Sequence, residues 1–232
     1  MLKIENLKKS YGSKEVLHGI DLEVQDGEIF GFIGHNGAGK TTTIKAVVGI
    51  ITYEKGKITI DGIDNKEKPL ECKKIMAYIP DNPDLYPNLT GLQYLNFIGN
   101  VYKVDKHALV SRIEHLANEF EIYGNLADTI GSYSHGMKQK LAIISALIHE
   151  PKLLILDEPF VGLDPKASFK LKELMKQLCA TGSSIFFSTH VLEVAEKLCD
   201  KIAIIKDGRI VVSGNTSELI EDQSLEEIFL GL

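Results

Sequence analysis

The segment Gly34-His35-Asn36-Gly37-Ala38-Gly39-Lys40-Thr41 has the form G-x-x-x-x-G-K-T and lies between two largely apolar stretches, Ile29–Ile33 and Ile44–Val48. It constrains the fold strongly, because such a segment works as the loop between a buried strand and a helix. Glycines let the backbone turn its N–H groups inward around phosphate oxygens, and the following helix directs its positive dipole end at the same charge. In that arrangement Lys40 reaches the β- and γ-phosphates of a nucleoside triphosphate, and Thr41 holds Mg²⁺. The phosphate-binding set read from the sequence is Gly34, His35, Asn36, Gly37, Ala38, Gly39, Lys40, Thr41 and Thr42.

The rest of the chain supplies the setting such a loop needs. Leu2–Leu7 and Ile20–Val24 alternate with period two, and Gly56–Gly62 and Ile75–Ile79 read as further strands. From Thr90 to about Glu150 the pattern turns helical. Leu109, Ile113, Leu116 and Phe120 fall on one helix face, as do Met137, Leu141, Ile144 and Ile148. Beyond Pro151, apolar runs at 153–156, 184–188 and 201–205 alternate with helical stretches at 165–180 and 191–199. That alternation predicts a parallel sheet covered on both faces. Lys206-Asp207-Gly208-Arg209 reads as a hairpin turn.

Triphosphate hydrolysis also needs an acid for the metal and a group to orient the attacking water. Asp157 and Glu158 follow the apolar run Leu153-Leu154-Ile155-Leu156, at the strand end where open α/β sheets place their ligands. Asp157 is read as the metal acid, acting through a bound water, and Glu158 as the general base. His190, at the end of the next strand, is read as a sensor of the γ-phosphate. Ser134, in Tyr133-Ser134-His135-Gly136, reads as a helix N-cap, and a helix N-terminus with a hydroxyl and a glycine is also a second anion site. One chain does not easily present two such sites to one phosphate, which points to a dimer.

These residues, in this order, resemble the ATP-binding subunit of an ABC transporter, and the resemblance covers nearly the whole chain. Gly34–Thr41 resembles that family's Walker A, Leu153–Asp157 its Walker B, Glu158 its catalytic glutamate and His190 its switch histidine. Ser134 and Gly136 match two positions of its L-S-G-G-Q signature, and Gly162-Leu163-Asp164 resembles the loop that crosses the dimer interface. Tyr11 matches the aromatic residue that stacks on adenine.

The resemblance implies an α/β fold: a P-loop NTPase core with a mainly parallel sheet, an N-terminal antiparallel β subdomain and a helical insertion. Residues 1–232 would form one such domain, with a nucleotide-binding core at 1–89 and 151–232 and a helical subdomain at 90–150. It further implies ATP and Mg²⁺ as ligands and a head-to-tail dimer with a second copy or a homologous ATPase subunit. In that dimer Ser134, Gly136 and Asp164 would act at the partner's nucleotide. An integral membrane permease would be driven by closure and hydrolysis, with this subunit peripheral on the cytoplasmic face.

Three departures stand out. Asp81 occupies the place of a glutamine that touches Mg²⁺ and couples to the membrane subunit, and a shorter carboxylate there remains a ligand for a hard cation. His135 and Met137 replace a glycine and the glutamine of the signature, and His35 replaces a common proline. Leu85-Tyr86-Pro87, with Tyr94 and Phe97, is rich in aromatic and apolar groups; it lines either a docking groove for the membrane subunit or the insertion's own core. The ending Ser224–Leu230 resembles that of bacterial exporter ATPases.

Composition narrows the function classes. With 232 residues, of which 44% are hydrophobic, the chain can bury a substantial core. A formal charge of −6 argues against a general electrostatic grip on nucleic acid, and no nucleic-acid partner is expected. No run approaches the roughly 18 apolar residues of a spanning helix, and residues 1–5 lack a signal-peptide core. Cys72, Cys179 and Cys199 are widely spaced, which fits packing thiols in a cytosolic protein. The alternative to a transporter subunit is a soluble ATPase of the same architecture, acting as a switch or scaffold in DNA repair, translation or cofactor assembly. A GTPase is rejected, because Asn65-Lys66-Glu67-Lys68 lacks the aspartate of the guanine motif.

Overall fold

The computed structural model describes residues 1–221 and 223–232. Its strands form two sheets. In the smaller, β1 (Leu2–Tyr11) pairs antiparallel with β2 (Lys14–Val24) on one side and β4 (Lys55–Ile60) on the other, and the two-residue β5 (Ile63–Asp64) extends the edge. The period-two pattern at the start of β1 contains one extra residue. Asn6 has φ 48° and the register shifts between Ile4 and Leu7, so Leu2, Ile4 and Leu7 all reach the core.

The larger sheet has the order β10-β9-β3-β8-β7-β6. In it β3 (Ile29–Ile33), β6 (Met76–Ile79), β7 (Leu153–Asp157), β8 (Ser184–Thr189) and β9 (Lys201–Lys206) run parallel, while β10 (Arg209–Asn215) returns antiparallel across the anticipated hairpin turn. Every residue of β3, β7 and β8 is buried. Successive side chains serve opposite faces: Phe30, Phe32, Leu153 and Ile155 pack with the small sheet, whereas Ile29, Ile33, Leu154 and Leu156 pack with the helices. Burial on both faces is why these strands read as unbroken apolar runs.

Nine α-helices are described. α1 (Lys40–Val47) follows β3, and α2 (Pro69–Ile75) precedes β6; this short helix takes up Ile75, which the sequence pattern had placed in a strand. The helical stretch comprises α3 (Gly91–Val101), α4 (Lys106–Glu119) and α5 (His135–Leu147). Thr90 with Gln93 forms a capping box on α3, and the Asp105 and Ser134 side chains cap α4 and α5. Leu109, Ile113, Leu116, Phe120, Leu141, Ile144 and Ile148 are all buried, with Met137 packed at their margin. α6 (Pro165–Ala180), α7 (Leu192–Leu198), α8 (Thr216–Leu219) and α9 (Leu225–Leu230) complete the chain.

The aromatic cluster near α3 divides. Tyr94 is core and Leu85 packs against core residues, whereas Tyr86 and Phe97 are 58% and 45% exposed. Among the described residues no helix is long and apolar enough to cross a membrane.

Candidate functional site

The strand-loop-helix predicted around Gly34 is present, and local geometry explains its glycines. A Cβ on Gly34 would lie 2.5 Å from the Ile205 carbonyl oxygen, so the loop can leave β3 only over a residue without a side chain. Gly37 and Gly39 have φ 83° and 115°, in the left-handed region that other residues avoid. Gly39 is the N-cap of α1 and offers no side-chain cap, which leaves the first amides of that helix available to an anion. Gly208 N–H donates to the Ala38 carbonyl at 3.0 Å, tying the loop to the β9–β10 turn.

Lys40 is nearly buried. Its ammonium donates to the carbonyls of Gly34 (2.6 Å) and His35 (3.3 Å) and lies 3.6 Å from Glu158 Oε1. The loop opens into a cleft of about 190 Å³. His35, Asn36, Gly37, Gly39, Lys40, Thr41 and Thr42 line one side, and Asp81, Glu158 and Val16 close it from three other elements.

β7 delivers the two carboxylates to different surroundings. Asp157, fully buried, accepts a hydrogen bond from the Ser188 hydroxyl on Oδ1, and its Oδ2 has no hydrogen-bond partner among the described residues. Glu158 has φ 49°, an uncommon conformation for a side-chain-bearing residue, and this turn ends the strand. Its N–H is held by the Ser188 hydroxyl oxygen (3.1 Å) and carbonyl (3.2 Å), and its side chain enters the cleft. There Oε2 lies 2.9 Å from His190 Nδ1 and 3.3 Å from the His190 backbone N–H. Oε1 is buried with no hydrogen-bond partner. Nearby, burial together with Asp157 and Asp81 pushes the Tyr78 phenol well up, so it stays protonated.

A hard divalent cation fits these residues. Among the described residues two buried carboxylate oxygens lack a hydrogen-bond partner: Asp157 Oδ2, and Glu158 Oε1, which has the Lys40 ammonium 3.6 Å away; a buried oxygen left wholly unpaired costs about 1–3 kcal/mol. The Thr41 hydroxyl and Asp81 carboxylate stand at the same cleft, so the available donors are oxygens. Among the described residues no three His, Cys, Asp or Glu side chains gather tightly enough to hold a metal alone.

Other expected residues lie elsewhere. Gly34 and Ala38 sit behind the cleft, and Asp157 and His190 connect to it through Ser188 and Glu158. Tyr11, 51% exposed at the end of β1, has the Lys9 ammonium 5.2 Å from its ring and does not line the cleft. Ser134, Gly136 and Asp164 form a separate surface. The Ser134 hydroxyl accepts from Met137 N–H at 3.2 Å, and a Cβ on Gly136 would stand 3.1 Å from the Gly162 carbonyl. Asp164 caps α6 through Ala167 N–H (2.8 Å) and pairs with Lys140 (2.9 Å), and these two contacts hold its carboxyl below the usual range.

Sequence reasoning gave no role to Ser188 or Val16. Ser188 carried one usable signal, its place at a strand end beside His190. Val16 carried none, because β2 belongs to the other sheet and comes near through His18 N–H on the Gly208 carbonyl at 2.9 Å.

The sequence profile of the family described as "ABC transporter" matches residues 17–161. The linearmycin resistance ATP-binding protein LnrL of Bacillus subtilis (strain 168) is 36% identical over 219 residues, covering 94% of this chain and 70% of that one. The Nod factor export ATP-binding protein I of Cupriavidus metallidurans is 34% identical over 224 residues, covering 96% and 74%. A solved structure of the ATP-binding subunit of an ABC transporter superimposes with a TM-score of 0.95 at 35% identity, covering 100% of this chain and 98% of that one. Sequence and fold agree with the cleft's chemistry, and the chain belongs to the ABC transporter family as an ATP-binding, ATP-hydrolysing subunit.

Proposed function

We propose that this subunit hydrolyses ATP at the cleft between the Gly34–Thr42 loop and Glu158, and that turnover drives a separate membrane permease in the direction of export. The observation that carries the reading is the Glu158 carboxylate, set between Lys40 and His190 at the cleft. In the ATP complex the loop amides and the Lys40 ammonium bind the phosphates. Thr41, Asp81 and Asp157 would hold Mg²⁺, Asp157 through water; the ion supplies charge neutralisation of the phosphate oxygens. Glu158 orients the attacking water and takes its proton, and His190 fixes the Glu158 side chain and senses the γ-phosphate. Tyr11 closes over the adenine.

Ser134, Gly136 and Asp164 act on the nucleotide of a second copy or a homologous subunit docked head to tail. Their separation from this chain's own cleft supports that arrangement. The permease segment docks at a groove of about 300 Å³ lined by Tyr86, Pro87, Asn88, Leu89 and Phe97. Four residues separate Asp81 in the cleft from Tyr86 in the groove, so one short loop touches both. Docked there, the subunit lies peripheral on the cytoplasmic face through its partner, and the export name of the Nod factor relative supports the direction.

Glu158→Gln tests the reading, because it removes the base while keeping the size. Turnover should fall about a hundredfold or more, and ATP with Mg²⁺ should convert the purified chain to a dimer that Ser134→Arg abolishes. Wild-type turnover in Glu158→Gln would overturn the assignment of the base, and a persistent monomer would overturn a site shared between two copies of this chain.

A further inference from the structure

The outer edge of the phosphate loop is thinly held. His35, Asn36 and Gly37 are exposed, and among the described residues the main chain of His35 is engaged only through its carbonyl, by Ala38 N–H at 3.1 Å and the Lys40 ammonium at 3.3 Å. An arriving phosphate competes for that ammonium. What remains is the Ala38 N–H on the carbonyl and the His35 imidazole, whose centroid lies 4.5 Å from that of Phe229 with the rings tilted by 52°. His35 therefore faces two ways, lining the nucleotide cleft and packing on α9.

α9 is anchored independently of the loop. Ser224 and Glu227 form a capping box at its start, Leu225 is fully buried, and Leu225 N–H donates to Glu196 of α7 at 3.2 Å. α7 begins two residues after His190. One short helix thus links the element that follows His190 to the front edge of the phosphate loop.

We propose that α9 braces the phosphate loop, with Phe229 as a positioning residue that acts on nucleotide affinity through His35. The proposal rests on the cleft being the nucleotide site. Displacing Phe229 frees the loop edge, and the amides aimed at the phosphates lose their fixed spacing.

The test is a titration of the purified full chain with a fluorescent ATP analogue in Mg²⁺, beside steady-state ATPase kinetics and thermal unfolding. Phe229→Ala and His35→Ala should each weaken binding by about threefold to tenfold, the range of one aromatic contact. The double variant should be no weaker than either single one, Phe229→Tyr should restore affinity, and KM should rise with kcat held within about twofold. Titrations run well below the unfolding midpoint of each variant, as read from its thermal melt, separate affinity from folding. Unchanged affinity in both single variants overturns the brace, as do effects that multiply in the double variant. Lys40→Ala separates the two levels: if it retains affinity, the cleft reading falls and the brace with it; if it loses affinity while Phe229→Ala does not, only the brace falls.

Discussion

His190 Nδ1 stands 2.9 Å from Glu158 Oε2, and the His190 backbone N–H points at the same oxygen from 3.3 Å. Ring and main chain of one residue grip one carboxylate oxygen, leaving Oε1 free towards Lys40. His190→Ala keeps the backbone contact and removes the ring. Turnover should drop about tenfold to a hundredfold, the worth of a hydrogen bond to a charged group, with ATP affinity nearly unchanged. Phosphate-release kinetics beside a nucleotide titration reads both, and an unchanged kcat would remove His190 from the mechanism.

Ser188 serves two masters in the buried strand end, donating to Asp157 Oδ1 while its oxygen receives the Glu158 N–H. Ser188→Ala strands a fully buried carboxylate oxygen, which should lower the unfolding free energy by about 1–3 kcal/mol. Activity should fall as well, since the turn at Glu158 loses a tether. Urea unfolding of the two chains, at matched m-value, measures the difference; equal midpoints would show that the hydroxyl carries no load.

Burial holds the His149 pKa below its ordinary 6.5; the Met76 carbonyl pulls it back up, and Arg112 adds a smaller push down. The folded state therefore resists taking a proton that the unfolded state accepts. Stability from this group is complete above pH 6.5 and declines as pH falls below it. His149→Phe keeps a ring against Tyr102, which stacks at 3.7 Å, and should flatten the fall in melting temperature between neutral pH and pH 5. An identical pH slope in both chains would refute the assignment.

Tyr86 and Phe97 meet edge to face, with centroids 6.1 Å apart and the rings at 88°, on a surface exposed to solvent. Tyr86→Ala with Phe97→Ala should sever co-purification with the integral membrane partner, while the isolated subunit binds ATP as before. Retention of the partner through a mild detergent wash would move the docking site elsewhere.

Much of the site was legible because its chemistry is local. The phosphate loop, the Asp157–Glu158 pair and His190 each follow a strand whose apolar run fixes where it ends, and parallel strands of one sheet end on the same side. Contacts made by register were not legible: Ser188 lies opposite Asp157 only because β7 and β8 pair in that phase. Val16 reaches the cleft from another sheet, and Phe229 reaches His35 from the far end of the chain. In the fold, Asn6 hid because a bulge adds one residue to a period of two, and α2 because seven residues give a helical period little room. Tyr86 and Tyr94 show the limit of composition: side chains of one type on adjoining segments, one facing solvent and one buried.

The left-handed turn at Glu158 sets the durability of the protein against its work at one position. Glycine would adopt φ 49° freely, and a residue with a Cβ held there costs on the order of 1 kcal/mol. Glu158→Gly would relieve that strain but give up the carboxylate's contacts with His190 and Lys40, and its turnover should fall about a hundredfold or more. The same turn that costs stability aims the carboxylate into the cleft, so the strain at 158 is the structural counterpart of turnover.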